Sequence, residues 1–485
     1  MPEPVPSIDP VPSTPPWHKQ IAIWRSHFLV GWIIGATTVL FICSSIRHWL
    51  FKSTAFDLGI YDQVVYLMSQ GLPAISTYLG FHHMGNHTAF SVYLLAPLYK
   101  LFPSTYWLLL VQAVCLALGA LPVWMLARQA GLSQSLSQAM AAVYLLYPVI
   151  FNVNLFDFHP EVMMPPALLF AIWAARADRK IGFCLAIVFV LGCKDALSPV
   201  IAAMGLWLLL FEKRRFYGLF ALLTGVSWFL IATQWIIPTL SGTEAAAVKR
   251  YAYLGDSVLD IAKNLILQPG ILLSHIFRLS TLTYLLLLLG PIAWGLSPRF
   301  LAPLLSATPT LIFNILSEAP GQRSLQGQYS LPILPFLLVA VIAALAANRT
   351  WLRSRRWIIL WSLIGFLAIS KWTWFLTEPQ EVKPVWQANR EAIALIPRHQ
   401  GGVITDNYLG AHLSQRPFVT LIRTRSFKQD IQHADYVLLN LKHVWASNTE
   451  KSTKILERTQ KQPEFELIYK RDQVYLFKRK TFTPS

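Results

Sequence analysis

His87-Thr88-Ala89-Phe90-Ser91-Val92-Tyr93-Leu94-Leu95-Ala96-Pro97-Leu98-Tyr99-Lys100-Leu101 decides how this chain is threaded. The stretch is apolar, but Pro97 interrupts it and it falls short of the about 20 residues a helix needs to cross a hydrocarbon core of about 30 Å. Counted as a crossing, it would move every later loop to the other side of a membrane. Read as a helix lying in or dipping into the outer interface, it leaves the order of the loops unchanged. The basic residues decide between the two. With the N-terminus in the cytoplasm, Arg128, then Arg176, Arg179 and Lys180, then Lys213, Arg214 and Arg215, then Arg299, and finally Arg349, Arg353, Arg355 and Arg356 all fall in inner breaks. That is where the positive-inside rule puts them.

Working outward, the apolar runs are 28–46, 104–127, 134–151, 162–175, 181–193, 196–211, 216–237, 276–296, 300–316, 331–347 and 357–375, eleven expected crossings of an α-helical polytopic membrane protein. Composition agrees. Of 485 residues, 54% are hydrophobic and 13% charged, and the mean hydropathy is +0.46, more apolar surface than a soluble domain can hide. The net charge of +17, 41 basic less 24 acidic residues, would suggest nucleic acid in a soluble chain. No basic face with interleaved aromatics appears, so nucleic acid is excluded as a partner. Cys43, Cys115, Cys184 and Cys193 all lie in apolar runs without a CxxC spacing and read as small buried hydrophobes.

Residues 1–27 read as a disordered, proline-rich cytoplasmic tail, with Lys19 and Arg25 ahead of the first span rather than a signal peptide. Residues 28–376 form the transmembrane domain, with a long first outer loop at 47–103 that carries two amphipathic helices. Residues 377–485 lack long apolar runs and hold strand-like pieces at 402–405, 418–422 and 436–440 and a hairpin of 465–470 with 473–478, a small extracytoplasmic α/β domain.

The acids follow their own pattern. Of those before Thr377, Glu3, Asp9, Asp178 and Glu212 fall inside, and the rest lie in outer loops or at outer helix ends. In Phe56-Asp57-Leu58-Gly59-Ile60-Tyr61-Asp62-Gln63, a carboxylate beside the membrane must be solvated, paired or functional. Asp57 is placed to act as a general base on a hydroxyl, or to cap the following helix, worth about 1 kcal/mol. In Phe156-Asp157-Phe158-His159-Pro160-Glu161, an extended backbone would turn Asp157, His159 and Glu161 to one side, to hold a divalent ion or orient a sugar. His82, His83 and His87 form a third cluster. His83 and His87 would share a helix face, but no HExxH frame is present, and contact with phosphates or acids is the plainer reading. Lys194-Asp195 ends the fifth run as a local ion pair or a phosphate contact, and Arg250, Arg278 and Arg323 are outer guanidiniums suited to phosphate.

The first-loop motif, the run Leu94-Leu95-Ala96-Pro97-Leu98-Tyr99, Phe156 to Glu161, and Lys194-Asp195, in that order, resemble the bacterial polytopic family called domain of unknown function 2079. That family resembles the C-type integral-membrane glycosyltransferases. The resemblance implies a bacterial inner-membrane enzyme that moves a sugar from a polyprenyl-phosphate donor to an acceptor on the outer face, with membrane lipids as its surroundings. Asp57 would be the catalytic base and Asp157 or Glu161 its partner. Asp62, His82, His83, His87, His159, Lys194, Asp195, Arg250 and Arg323 would bind substrate. The partner of Asp57 would act with or without a divalent cation, magnesium or manganese, for which Asp157, His159 and Glu161 are the candidate ligands, since the five-residue separation of Asp57 and Asp62 departs from a compact DxD. Alternatives are a transporter or flippase, and a non-catalytic envelope protein.

Overall fold

A computed structural model describes residues 27–243, 246–424, 426–442 and 449–483. The expected N-terminal tail, with Lys19 and Arg25, lies outside the described residues. The chain is a multi-pass helical membrane protein with a small C-terminal β-rich region. Among the described residues, His27–Trp49, Tyr106–Gln129, Arg215–Ser241 and Gln328–Ala346 are each long and apolar enough to cross a membrane. Three bent pairs bring the number to at most seven: Gln134–Leu145 with Pro148–Asn154, Pro269–Ile276 with Leu279–Gly295, and Arg355–Ile369 with Lys371–Ala394.

The count of eleven is therefore not reached by length and composition, and the reason is local. The runs expected at 162–175, 181–193, 196–211 and 300–316 are the shorter helices Met164–Arg176, Lys180–Leu191, Asp195–Leu210 and Ala302–Leu316. The first begins beyond Pro160, whose missing N–H makes the 3-10 turn Pro160–Met163 the entry to the helix. Lys180–Leu191 stops short of the polar pair Lys194-Asp195, and the next helix, Asp195–Leu210, starts within it. Non-helical backbone at this depth is tolerated where it is enclosed by protein or lines a cavity. The opening stretch behaves similarly: Phe90–Leu95 is a 3-10 turn and Ala96–Leu101 a short helix.

Close backbone contact holds part of this scaffold together. A Cβ on Gly205 would stand 2.4 Å from the Leu222 nitrogen, and one on Gly225 2.6 Å from that of Ala202. Helices Ser198–Leu210 and Arg215–Ile231 therefore pack with small residues at their interface.

The first long loop runs from the π-helical turn Ala55–Gly59 into helix Ile60–Ser69. Its end at Gly71, with φ +73°, leads to the two-residue strands β1 (Ile75–Ser76) and β2 (Phe81–His82). After the long helix Trp374–Ala394, the C-terminal region forms β3 (Val403–Thr405), β4 (Val419–Leu421), β5 (Tyr436–Asn440), β6 (Phe465–Arg471) and β7 (Val474–Arg479), in the order β4-β3-β5-β7-β6. β3 pairs in parallel with β4 and β5, while β7 is antiparallel to both β5 and β6. One core of this region joins Leu409, Leu413 and Tyr436 to Phe51, Ala55, Ile60 and Tyr78 of the first loop. The other is built from its own Ile404, Val437, Ile455 and Phe477.

Candidate functional site

Asp57 does not cap the helix it precedes. The N-cap position of Ile60–Ser69 is Gly59, without a side-chain bond, and Asp57 sits inside the π turn with its carboxylate turned sideways. Its Oδ1 lies 3.2 Å from His159 Nε2, and its Oδ2 accepts a long 3.5 Å bond from the Thr54 hydroxyl. The side chain remains 33% exposed. Burial works to raise the Asp57 carboxyl, but His159 beside it, with Lys194 and Arg47 farther off, holds it below its ordinary value. Burial works in turn to lower His159, and Asp57 with Glu161 raises it. Each partner therefore favours the charged form of the other.

The second loop supplies three polar side chains, though not by strand alternation. His159 is extended, but Asp157 has φ +115° and Glu161 lies in the 3-10 turn. An aspartate at such a φ is strained unless its surroundings fix it. Here they do. Asp157 is 1% exposed and forms an ion pair with Arg47. Its Oδ2 also accepts from the Thr54 N–H at 3.0 Å and the Thr54 hydroxyl at 2.9 Å. Asp157 is thus a clasp between the end of the first span and the second loop.

Glu161 is buried and paired through Oε1 with the Lys194 ammonium, while its Oε2 is buried without a hydrogen-bond partner among the described residues. The local pair expected between Lys194 and Asp195 is replaced by two longer-range ones, because Asp195 faces His87, 3.0 Å from Oδ1 to Nδ1. Burial works to raise Glu161 and to lower Lys194, but each outweighs that for the other, leaving Glu161 below and Lys194 above its ordinary value.

The expected cation trio does not fit a divalent ion. The oxygens of Asp157 are taken by Arg47 and Thr54, His159 faces Asp57, and an ammonium stands at Glu161, where it would repel a second cation. Nor, among the described residues, is any group of three His, Cys, Asp or Glu side chains placed to hold a metal.

Several other expected binding residues lie elsewhere or are already engaged. Asp62 is fully buried and accepts from Tyr99 at 2.6 Å, from Gln415 at 3.1 Å and from the Ser414 hydroxyl. It fastens the C-terminal region to the first loop. Arg323 spends its Nη1 on the carbonyls of Asn314, Ile315 and Ser317, closing the end of helix Thr308–Leu316. Arg250 lies 5.2 Å from the ring centre of Tyr329. His82 touches Tyr93, 3.3 Å from its hydroxyl. His83 is buried with neither ring nitrogen bonded among the described residues, and burial, with His82 nearby, pushes it down to about 3. His83 and His87 do not join as a pair of metal ligands, since His87 is taken by Asp195.

The four motifs thus converge in part: Asp57 with His159, and Glu161 with Lys194, next to His87 with Asp195. A profile of the family described as "Predicted membrane protein (DUF2079)" matches residues 47–476, which contain all of them. The chain belongs to this family. Among solved structures, ArnT from Cupriavidus metallidurans bound to undecaprenyl phosphate is similar with a TM-score of 0.53 and 11% identity, over 92% of this chain and 98% of that one. Its apo state gives 0.51 and 12%, over 91% and 97%. The oligosaccharyltransferase of Archaeoglobus fulgidus gives 0.39 and 13%, over 86% and 70%. The fold of this DUF2079 protein therefore resembles that of ArnT. A comparison of its sequence with curated proteins finds no match.

Sequence reasoning passed over Arg47 and Lys371 in this family member. Arg47 makes the Asp157 clasp. Lys371 lies 5.8 Å from the ring centre of Phe156, which itself stacks on His159 at 5.3 Å, and reaches the Gln326 carbonyl at 3.4 Å. A signal was present: both are cations at ends of apolar runs that the expected topology turns outward, against the positive-inside rule.

Proposed function

We propose that this protein is an inverting glycosyltransferase that moves a sugar from a polyprenyl-phosphate donor to a hydroxyl acceptor at the outer face of a bacterial inner membrane. The observation that carries the reading is Asp57: a carboxylate left one-third exposed while a buried histidine orients one of its oxygens. A base must reach the proton it takes, and this is the one carboxylate of the Asp57, Asp157 and Glu161 set that is both oriented and open. The acceptor oxygen attacks the anomeric carbon and its proton passes to Asp57. The bond from that carbon to the phosphate oxygen breaks, and polyprenyl phosphate leaves. Lys194, with Lys371 and Arg47 nearby, would stabilise the charge on the departing phosphate. His87 and Asp195 would line the site, and Arg250 would stand at its edge.

Two features support the donor class. The likeness to ArnT extends along almost the whole chain, and that structure is bound to undecaprenyl phosphate. An open apolar groove of about 330 Å³ on the membrane domain, lined by residues such as Ala203, Leu305, Ile312 and Phe313 and by none of the residues around Asp57, offers a surface of the kind a prenyl chain occupies. In this reading, helices Met164–Arg176, Lys180–Leu191, Asp195–Leu210 and Ala302–Leu316 also cross the membrane, adding four to the seven candidate spans to give eleven. The N-terminus is then cytoplasmic and the C-terminal region extracytoplasmic. The test is transfer of labelled sugar from polyprenyl carriers by the purified protein in lipid. Transfer that depends on Asp57 supports the reading, whereas solute uptake by proteoliposomes with no transfer would favour a transporter.

A further inference from the structure

In the C-terminal sheet, β3 lies between β4 and β5, so the chain leaves it to one side for β4 and returns on the other for β5. The carboxyl end of β3 is thus a topological switch point, the place where doubly wound sheets carry functional loops. Here that end does not face open solvent. It continues into the short helix Asn407–Gly410, which lies against the Ala55–Gly59 turn of the first loop.

The contact is close and specific. Asn407 Oδ1 accepts the Phe56 N–H at 3.1 Å. The Tyr78 hydroxyl donates to the Gly410 carbonyl at 2.9 Å. A Cβ on Gly410 would stand 2.8 Å from the Ala55 Cβ, so the Gly410 backbone packs directly against the Ala55 methyl. The helix is itself held from below. Asp406 Oδ1 accepts from the N–H groups of Tyr408 and Leu409, each at 3.0 Å, and its Oδ2 from Asn440 at the end of β5, at 3.3 Å. Tyr408, half-buried on the same helix, has the Lys52 ammonium 5.8 Å from its ring centre. Lys52 and Phe56 stand on either side of Thr54, which bonds both Asp157 and Asp57.

We propose that the C-terminal region sets the geometry of the site, and that Asn407 is a positioning residue for Asp57, acting through the Phe56 N–H. A π turn leaves backbone groups outside the usual helical ladder. The one preceding Asp57 is satisfied from another part of the fold, more than 350 residues away in sequence. A shift of that turn would carry the Asp57 carboxylate off His159. The plainer alternative is that helix Asn407–Gly410 only docks the C-terminal region, a task to which the Thr77 hydroxyl also contributes by donating to the Val419 carbonyl at 2.7 Å and accepting its N–H at 3.1 Å.

The kinetic part of the test rests on the transfer reading, and the exchange part does not. Hydrogen exchange is measured on the full-length protein in lipid nanodiscs for Asn407→Ala, Asn407→Asp and Thr77→Val. Asn407→Ala is expected to speed exchange of the Phe56 amide by about tenfold, the loss of one hydrogen bond. It should also lower kcat for transfer by at least about tenfold with KM unchanged. Asn407→Asp, which keeps an acceptor oxygen, restores both. Thr77→Val loosens exchange around residues 75–80 while sparing Phe56 and kcat. Unchanged Phe56 exchange in Asn407→Ala overturns the proposal, as does an equal response to Asn407→Ala and Thr77→Val. If the wild-type protein transfers no sugar, the transfer reading falls, and faster Phe56 exchange with rescue by Asn407→Asp still upholds the positioning role.

Discussion

Asp57 and Asp62 stand five residues apart in one stretch, and the fold uses them in opposite ways. Asp62 is enclosed, and Tyr99, Ser414 and Gln415 all donate to it. Asp57 keeps a third of its surface open, with one close partner in His159. A buried carboxylate must have its lone pairs filled, and once they are filled it has little left for a substrate. Asp157 follows Asp62, its oxygens spent on Arg47 and Thr54. Glu161 lies between the extremes, with one oxygen on Lys194 and the other buried and unpaired. The number of donors on each carboxylate thus separates the acids that hold the fold from those that can meet a ligand.

The comparison can be broken most severely at the clasp. Arg47→Ala leaves the Asp157 carboxylate buried without its cation and is expected to cost about 3–5 kcal/mol of stability, read from unfolding of the purified protein in detergent. A cost no larger than that of Asp57→Asn would remove Asp157 from the structural class. Next comes Asp62→Ala, which strips the acceptor from the buried Tyr99 and Ser414 hydroxyls and the half-buried Gln415 amide. We expect a loss of about 1–3 kcal/mol and faster proteolysis of the C-terminal region, whose Ser414 and Gln415 then lose their anchor. Wild-type proteolysis rates would show that the docking does not need Asp62.

A smaller effect should appear in the pH dependence of melting. Asp57 is held below its ordinary value, so its share of the pair with His159 is present above the usual carboxylate range and is lost as pH falls through the depressed value. His159 is raised, so its share is full below its ordinary value of 6.5 and is lost as pH rises through the raised one. The melting temperature of the wild type minus that of Asp57→Asn should therefore be largest at mildly acidic pH and shrink on both sides. Exposure of Asp57 keeps the whole effect within about 1 kcal/mol, and a difference flat across pH would mean that the pair does not form.

Much of this was legible before any coordinates. The strand-like pieces at 402–405, 418–422, 436–440, 465–470 and 473–478 overlie β3 to β7 within a residue or two, because alternation and turn residues are local signals. The meeting of the first loop with the Asp157-to-Glu161 loop was expected, but the pairings within it were not. Asp62 looked like a site residue because its partners, Ser414 and Gln415, lie about 350 residues away. Arg323 looked free because nothing local shows that it folds back on the carbonyls of its own preceding helix. Of the eleven expected crossings, at most seven have the length and composition of a span among the described residues, because apolar runs reveal composition and not where polar ends such as Lys194-Asp195 pull the backbone out of helix.

The central claim is that Asp57 is placed for chemistry and not for the fold. Its most direct test is Asp57→Asn, with transfer of labelled sugar from a polyprenyl carrier and thermal unfolding measured on the same preparation. The predicted result is a loss of transfer by a factor of about 10²–10⁴ with a melting temperature close to that of the wild type. Transfer at the wild-type rate, or unfolding as severe as in Arg47→Ala, would contradict it.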